Sequence, residues 1–141
     1  MHSWCRIQLN NSLKEAHAVG LAADKHPYAD LEDNFKKAMS ELLLLFLLSE
    51  KDCYIGELTA ALSRRSGNIL SMVFPYAAVY RLEQGGYIVE IGKRIAPDGR
   101  RRQYLSITDA GRTHLQQLLE GYSRLSQGVS NILEGEKTDG K

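Results

Sequence analysis

The sequence has little of what several classes of protein require. Its 141 residues include two cysteines, three prolines and one tryptophan. Two scattered thiols, Cys5 and Cys53, are too few for a disulfide framework or a cysteine zinc site, so we expect both to be reduced and Cys53 to fill a half-buried position. The formal net charge of +1 is too small for the protein as a whole to attract a polyanion such as a nucleic acid. Any such affinity must come from charges concentrated in one place.

Long apolar segments are also missing. The apolar run from Leu42 to Leu48, LLLLFLL, is far shorter than the roughly 20 residues of a membrane-spanning helix and is typical of a protein core. The sequence does not start with a cationic stretch followed by an apolar one, so we expect no signal peptide, no membrane partner and a cytoplasmic location. The length is that of one ordinary domain with a core, with room for an appendage.

Signatures of catalysis are absent too. The four histidines lack the spacing of a metal site, and we find no G-x-S-x-G motif, no phosphate-binding glycine loop and no paired carboxylates in an apolar setting. We therefore predict that the protein is not an enzyme and holds no metal or cofactor. His114 is predicted to lie on a helix surface.

Apolar residues recur at helical spacing in three consecutive segments. The first predicts a helix over about 30–50, and the second predicts a helix that follows the turn KDCY and ends near Gly67. The third begins at Pro75, whose missing N–H is harmless in a first helical turn, and ends at the Gly85-Gly86 pair. Upstream, SLKE is a capping box that predicts a short helix over about 12–23.

A β-hairpin follows the third helix. YIVEIGK and RRQYLSI have the composition of strands, APDG between them supplies a hairpin turn, and Thr108 then caps a fourth helix. This order predicts a mainly α fold with a small β-hairpin, a winged helix-turn-helix with a C-terminal dimerisation helix. The predicted parts are an N-terminal helical extension (1–33), the winged-helix DNA-binding domain (34–108), the dimerisation helix (109–134) and a disordered tail (135–141).

Basic residues are concentrated around the hairpin turn. Five cations against the single acid Asp98 give this stretch a formal charge of +4. A charge run alone is more typical of a solvated loop, but behind a three-helix unit it favours contact with the phosphates of double-stranded DNA. The cations are Lys93, Arg94, Arg100, Arg101 and Arg102.

The third helix is predicted to turn Val79 and Leu82 inward and to present its other face to the major groove. The DNA-binding candidates on that face are Tyr76, Tyr80, Arg81 and Gln84. Each of two of these residues has an alternative role that stays open. Tyr76 could instead pack against the second helix, and Arg81 could instead pair with Glu83 or Glu57.

The fourth helix carries an apolar stripe. Its members step by 3, 4, 3, 4 and 3 residues, which is the heptad spacing of a helix that pairs with another helix. One alternative is that the stripe packs on its own domain. We favour a homodimer, because the three preceding helices already use their inner faces to pack against one another, which leaves the stripe to pack on a helix of a second copy. The stripe consists of Leu115, Leu118, Tyr122, Leu125, Val129 and Ile132.

Three segments resemble the PadR-type transcriptional regulators. RRQYLSITDAGR resembles the family pattern R-x-Y-x-L-T-x-x-G-R, with Arg102, Tyr104, Thr108, Gly111 and Arg112 in place. YRLEQGGYI resembles K-R-L-E-x-x-G-L-I, and LLFLLSEKDCYIGEL resembles the leucine-rich first helix and the start of the second. The resemblance covers roughly residues 34–133. In the family pattern G-T-L-Y-P, only Tyr76 of VFPYA matches.

The resemblance implies a sequence-specific repressor that binds a palindromic operator as a dimer through its last helix. It also implies a small-molecule effector between the C-terminal helices and the core, where Tyr122 and Phe46 are candidate lining residues, although core packing is the favoured role of Phe46. Some members stack ligands on a tryptophan there, whereas the one tryptophan of this chain is Trp4. A MarR-like regulator and a winged-helix protein–protein adaptor without DNA binding are the alternatives.

Overall fold

A computed structural model of the protein describes residues 26–71 and 75–135. The helix predicted over residues 12–23, Trp4 and most of the predicted tail lie outside the described residues. The described chain forms two compact units, one of residues Lys36–Tyr122 and one of residues 26–35 with 123–135. Among the described helices, none combines the length and the apolar character that crossing a membrane requires.

The described elements follow the predicted order of three helices, a hairpin and a helix. The winged helix-turn-helix class is confirmed. The strand β1 was not predicted, because KDCY was interpreted as a turn. In chain order the elements are α1 (Ala29–Glu50), β1 (Cys53–Tyr54), α2 (Ile55–Arg65), α3 (Tyr76–Gln84), β2 (Ile88–Ile95), β3 (Arg101–Ile107) and α4 (Asp109–Leu133).

The three strands form one antiparallel sheet in the order β1-β3-β2. The hairpin of β2 and β3, called the wing below, pairs from Ile88 opposite Ile107 out to Ile95 opposite Arg101. At its tip the N–H of Ala96 donates to the carbonyl of Arg100 at 2.8 Å. Gly99 in this turn has a φ of 83°, which glycine adopts without steric strain, so the predicted hairpin chemistry is confirmed.

The core lies within the unit Lys36–Tyr122 and draws on every helix of that unit and on the sheet. Burial of its leucine, isoleucine and valine side chains removes apolar surface from water, which is the main favourable contribution to folding. Cys53 is buried among them, and burial raises the pKa of its thiol to about 11, so it stays protonated at neutral pH. Representative members are Leu44, Leu45, Leu48, Leu58, Leu62, Val79, Leu82, Ile88, Leu105 and Leu115.

Two sequence-based placements in this unit are wrong. Phe46, expected in the core, is exposed on α1 with the guanidinium of Arg65 5.9 Å from its ring centre. His114, expected on an open helix surface, is half-buried and stacks on Tyr87 with ring centres 4.1 Å apart and an angle of 11° between the rings. Both side chains pair with residues distant in sequence, which helical spacing alone does not reveal.

The glycines predicted to end α2 and α3 do so by the same hydrogen-bond pattern. After α3, Gly86 has a φ of 78°, its N–H donates to Glu83, and the N–H of Tyr87 donates to the carbonyl of Leu82. After α2, Gly67 has a φ of 67° and the N–H of Asn68 donates back to Ser63. These are Schellman motifs, which satisfy the last carbonyls of a helix and turn the chain sharply.

The start of α4 is fixed to the turn that ends α3. Thr108 donates its hydroxyl hydrogen to the carbonyl of Gly86 at 2.7 Å, and its Oγ1 accepts the N–H of Gly111 at 3.0 Å as an N-cap. Its own N–H donates to the carbonyl of Tyr87 at 3.0 Å. A Cβ atom on Gly111 would overlap that same carbonyl oxygen. The segment ITDAG therefore joins α3, the sheet and α4 in one contact, called the Thr108 joint below.

We expect Gly111→Ala to destabilise the protein, because the added methyl group meets a backbone oxygen that cannot rotate away. The loss should be about 1–3 kcal/mol, as for other overpacked sites. Urea unfolding followed by circular dichroism at one fixed protein concentration measures it. The matched control is Gly121→Ala in the same helix, where the space around a Cβ is open and the better helix propensity of alanine should stabilise by about 0.5–1 kcal/mol. Equal unfolding midpoints for the two variants would contradict the close approach at Gly111.

Candidate nucleic-acid interface

The exposed face of α3 consists of the residues that the sequence predicted. Ala78, Val79 and Leu82 are buried, so the opposite side of the helix faces solvent. Tyr76 is 60% exposed and Tyr80 is 62% exposed. The ring of Tyr76 is therefore not buried against α2. The whole exposed face is Tyr76, Ala77, Tyr80, Arg81 and Gln84.

Arg81 is paired within the chain, although not with either predicted partner. Its Nε donates to Oε2 of Glu41 on α1 at 2.6 Å. Glu83 and Glu57, the two partners weighed from the sequence, are engaged elsewhere: Glu57 pairs with Lys51 at 3.1 Å, and burial together with the nearby Glu90 raises the pKa of Glu83. The pair links α3 to α1, forty positions earlier in the chain.

The wing holds its cations in three different ways. Lys93, Arg100 and Arg101 are exposed. The guanidinium of Arg94 lies 5.1 Å from the ring centre of Tyr104. Arg102 is bound most closely, because its Nη2 donates to Oδ2 of Asp98 at 2.6 Å and its Nε donates to the same oxygen at 3.2 Å.

Asp98 also fixes the turn, since its Oδ1 accepts the N–H of Arg100 at 3.0 Å. These hydrogen bonds, with the one from Arg102 strongest, hold the pKa of the Asp98 carboxyl below its ordinary value. The guanidinium of Arg102 in turn lies 5.3 Å from the ring centre of Tyr54. Arg102 thus ties the wing tip to the β1–α2 junction.

Two tyrosines that the sequence analysis did not single out for this surface support the wing from beneath. Tyr54 and Tyr104 are opposite each other in β1 and β3, with ring centres 5.5 Å apart in an edge-to-face arrangement. They reduce the repulsion between Arg94 and Arg102, which are also opposite each other across the hairpin, because an aromatic face attracts a cation. A two-residue strand has no periodicity, so no signal in the sequence could have found Tyr54.

Between the wing and the helix-turn-helix lies an open cleft of about 330 Å³. Tyr54 and Gly56 line it at the start of α2, Tyr76 at the start of α3, and Arg102 and Gln103 on β3. Of the predicted contact residues, Tyr76 of α3 and Arg102 of the wing line this cleft. The other predicted residues are not among its described lining residues, and they are Tyr80, Arg81, Gln84, Lys93, Arg94, Arg100 and Arg101. A metal site is not part of it: the described residues contain no cluster of three or more histidine, cysteine, aspartate or glutamate side chains.

The stripe predicted for dimerisation divides into a buried and an exposed part. Leu115 is buried in the core of its own chain and Leu118 packs against that core, so the alternative of packing within the chain holds for the first turns of α4. From Tyr122 onward the stripe is exposed, and Leu125 and Ile132 are 71% and 79% exposed. The remaining member, Val129, is exposed as well.

One of the two aromatic residues considered for an effector pocket lines a surface groove. Phe46 lines an apolar groove of about 240 Å³ between α1 and α2, together with Leu43, Leu47, Ala61 and Leu62. Tyr122 is not among the described lining residues of this groove. The structure thus brings Phe46 to a surface groove and does not pair it with Tyr122 there.

The comparisons with known proteins agree with this architecture. A PadR family transcriptional regulator from Eggerthella lenta superimposes with a TM-score of 0.63 at 21% identity, covering 75% of this chain and 91% of that one. A PadR-like transcriptional regulator from Bacillus cereus gives 0.61 at 24% identity, covering 72% and 98%. An uncharacterised protein of Lysinibacillus sphaericus is 28% identical over 95 residues, 66% of this chain and 86% of that protein.

The sequence model of the transcriptional regulator PadR-like family matches residues 44–117, from the core of α1 to the third turn of α4. This range takes in the exposed face of α3, the wing and the Thr108 joint, and it is more than half of the chain. The resemblance predicted from three short segments is confirmed: the chain belongs to the PadR-like family of transcriptional regulators.

Proposed function

We propose that the protein is a homodimeric repressor that binds a palindromic DNA operator, with α3 in the major groove and the wing along the phosphate backbone. The observation that carries the proposal is that the exposed α3 helix and the cationic wing meet at one open cleft, through Tyr76 and Arg102. Phosphate contacts supply affinity, and side chains that reach base edges supply sequence preference. Such a regulator acts where the DNA is, in the cytoplasm.

The wing cations take different parts in this proposal. Lys93, Arg94, Arg100 and Arg101 contact phosphates, because their charges are not neutralised by a carboxylate in any pair described above. Arg102 adds its charge to the wing but serves mainly to hold the tip, since Asp98 already binds its guanidinium. On α3, the proposed contacts are Tyr76, Tyr80, Arg81 and Gln84, of which Arg81 would first have to share its guanidinium with Glu41.

Dimerisation is proposed through the exposed part of the α4 stripe, from Tyr122 to Ile132. A helix face with several large apolar side chains in water is unfavourable, and a second copy of the same helix covers it with the heptad geometry that the spacing provides. Leu31 and Phe35 on α1 are exposed too and add to the apolar surface that a second copy could bury. A dimer matches the two half-sites of a palindrome.

Release by a small molecule is a further part of the proposal, which rests on the family and on one groove. The apolar groove beside Phe46 has the lining of a site for a small hydrophobic compound, with Arg65 at its edge. Its volume of about 240 Å³ lies just below the usual range of drug-sized pockets, so a compact ligand would fit it best.

Replacing two wing cations should reduce both DNA affinity and its dependence on salt. Each phosphate contact contributes about 0.9 to the slope of log K against log salt, so Arg100→Gln with Arg101→Gln should flatten the slope by about 1.8 per subunit and weaken specific and random duplexes alike. Fluorescence anisotropy across a salt series measures the affinity and this slope.

The matched control is Lys37→Gln with Arg124→Gln, which removes the same charge from exposed positions outside the wing and should leave the slope unchanged. An unchanged slope in the wing variant would remove the wing from the interface.

An adaptor that binds no DNA is the competing function, and the same titration separates the two. A repressor should bind genomic duplex fragments at moderate salt and should be retained on heparin. A protein that binds neither, while remaining folded by circular dichroism, would refute the proposed function outright.

Charging the exposed stripe should separate the dimer and weaken operator binding together. Leu125→Glu with Val129→Glu places like charges one helical turn apart on the proposed seam, where burial without a partner is costly. Sedimentation velocity should show a monomer, and a mobility-shift titration should show much weaker binding, because linked half-sites no longer act together. Ser123→Glu with Gln127→Glu adds the same charges at the same spacing on exposed positions outside the stripe and should leave the dimer intact. A stripe variant that stays dimeric would place the seam elsewhere.

A further inference from the structure

The exposed face of α3 has the chemistry of a surface that reads A·T base pairs. Four of its five members, Tyr76, Ala77, Tyr80 and Gln84, are uncharged. Its cation, Arg81, already donates from Nε to the carboxylate of Glu41 at 2.6 Å. The recognition surface therefore offers two aromatic rings, a methyl group and an amide, and it holds its positive charge in an ion pair.

The four base pairs present different groups in the major groove. Guanine offers the acceptors N7 and O6, which an unpaired arginine or lysine binds best. Adenine offers one acceptor and one donor, which match the amide of a glutamine. Thymine carries the apolar group of the groove, its C5 methyl, and apolar side chains recognise it by contact. The rings of Tyr76 and Tyr80 fit thymine, and the amide of Gln84 fits adenine.

Arg81 is a weaker reader of guanine than an unpaired arginine. Its Nε binds Glu41 at 2.6 Å, so a guanine contact would have to come from the Nη groups, in the position that this ion pair fixes. The carboxylate of Glu41, whose side chain is 30% exposed, also offsets part of the positive charge that an unpaired guanidinium would bring to N7 and O6 of guanine. The ion pair thus holds α3 on α1 and disfavours a guanine contact by Arg81.

Three of these side chains lie along one line of the helix. Tyr76, Tyr80 and Gln84 are four residues apart, so they follow each other at about 6 Å along the α3 axis and span about 12 Å. That length corresponds to three or four base-pair steps of about 3.4 Å. The line is therefore long enough to read one contiguous block in each half-site.

We infer that the block of each operator half-site that faces Tyr76, Tyr80 and Gln84 consists of A·T pairs, with thymine methyl groups under the two tyrosine rings. This inference rests on the proposed function, since it presumes that α3 enters the major groove. It deepens that function by assigning the class of sequence that the protein selects.

The test begins with selection of genomic and random duplexes by the full-length protein at moderate salt. The selected half-sites should share a block of A·T pairs. Each thymine of the block is then replaced by deoxyuridine, which removes the methyl group and preserves base pairing. At the positions under the rings we expect about a fourfold loss of affinity per half-site, the factor that corresponds to the ~0.8 kcal/mol of one buried methylene-sized group.

Variants of Tyr80 assign the loss to the ring. Tyr80→Ala should bind the thymine and deoxyuridine duplexes equally, whereas Tyr80→Phe keeps the ring and should keep the preference for thymine. Because Tyr80 is exposed, neither change should disturb the fold, and circular dichroism verifies this. Full thymine preference in Tyr80→Ala would overturn the assignment of that contact.

Variants of the ion pair test the role of Arg81. Arg81→Ala should weaken binding to every half-site, because α3 loses its ion pair with α1, but it should keep the thymine preference, since the guanidinium takes no part in that contact. Glu41→Gln removes the carboxylate that offsets the guanidinium charge and should increase the affinity for half-sites that carry a G·C pair. If the wild-type protein selects a G·C pair in the block and Arg81→Ala abolishes that choice, the inference is wrong and Arg81 reads guanine.

The failures of the two proposals are distinguishable. A protein that binds duplex DNA without A·T preference, or that tolerates deoxyuridine at every position, would overturn this inference and leave DNA binding intact. A protein that binds no duplex would overturn both.

Discussion

The close contact between Gly111 and the carbonyl of Tyr87 is the constraint on which the arrangement of the winged helix depends. It is possible because residue 111 has no Cβ and because Gly86, in the left-handed region, turns the chain directly after α3. Thr108 then uses its hydroxyl as donor and acceptor at once, satisfying a carbonyl of the turn and an N–H of α4. The end of α3, the last residues of the sheet and the first turn of α4 are consequently parts of one hydrogen-bonded body.

The wing shows how a nearly neutral chain keeps positive charge concentrated. Arg94 and Arg102 are opposite each other on adjacent strands, an arrangement that repels unless each guanidinium has an attractive neighbour. Tyr104 and Tyr54 supply aromatic faces, and Asp98 supplies a carboxylate. The acid lowers the local charge by one and orders the turn from which the remaining cations project. Asp98 therefore reduces the positive charge of the wing and at the same time fixes the shape of its turn.

The fold could be predicted from the sequence because its signals are local. Gly67 marks the end of α2 and the Gly85-Gly86 pair marks the end of α3. Pro97-Asp98-Gly99 marks the hairpin, and Thr108 with Gly111 marks the entry to α4. Burial followed the predicted spacing on α3, where Val79 and Leu82 face inward. The contacts that position the candidate interface are long-range in sequence and carry no such signal. Arg81 pairs with Glu41 rather than with Glu83 or Glu57, and His114 stacks on Tyr87, because tertiary packing rather than spacing brings these residues together.

The separation between the buried and exposed faces of α3 has an evolutionary consequence. Ala78, Val79 and Leu82 anchor the helix, whereas Tyr76, Ala77, Tyr80 and Gln84 contribute little to the core and stand in solvent. Substitution at the second group leaves the packing of the domain intact, so, with α3 in the proposed role, the target can change at almost no expense in stability. The helix-entry segment ITDAG does not have that freedom, since sterics and hydrogen bonding fix it. The segment therefore marks the scaffold of the domain, whereas the exposed face of α3 is the part that can vary while the scaffold stays the same.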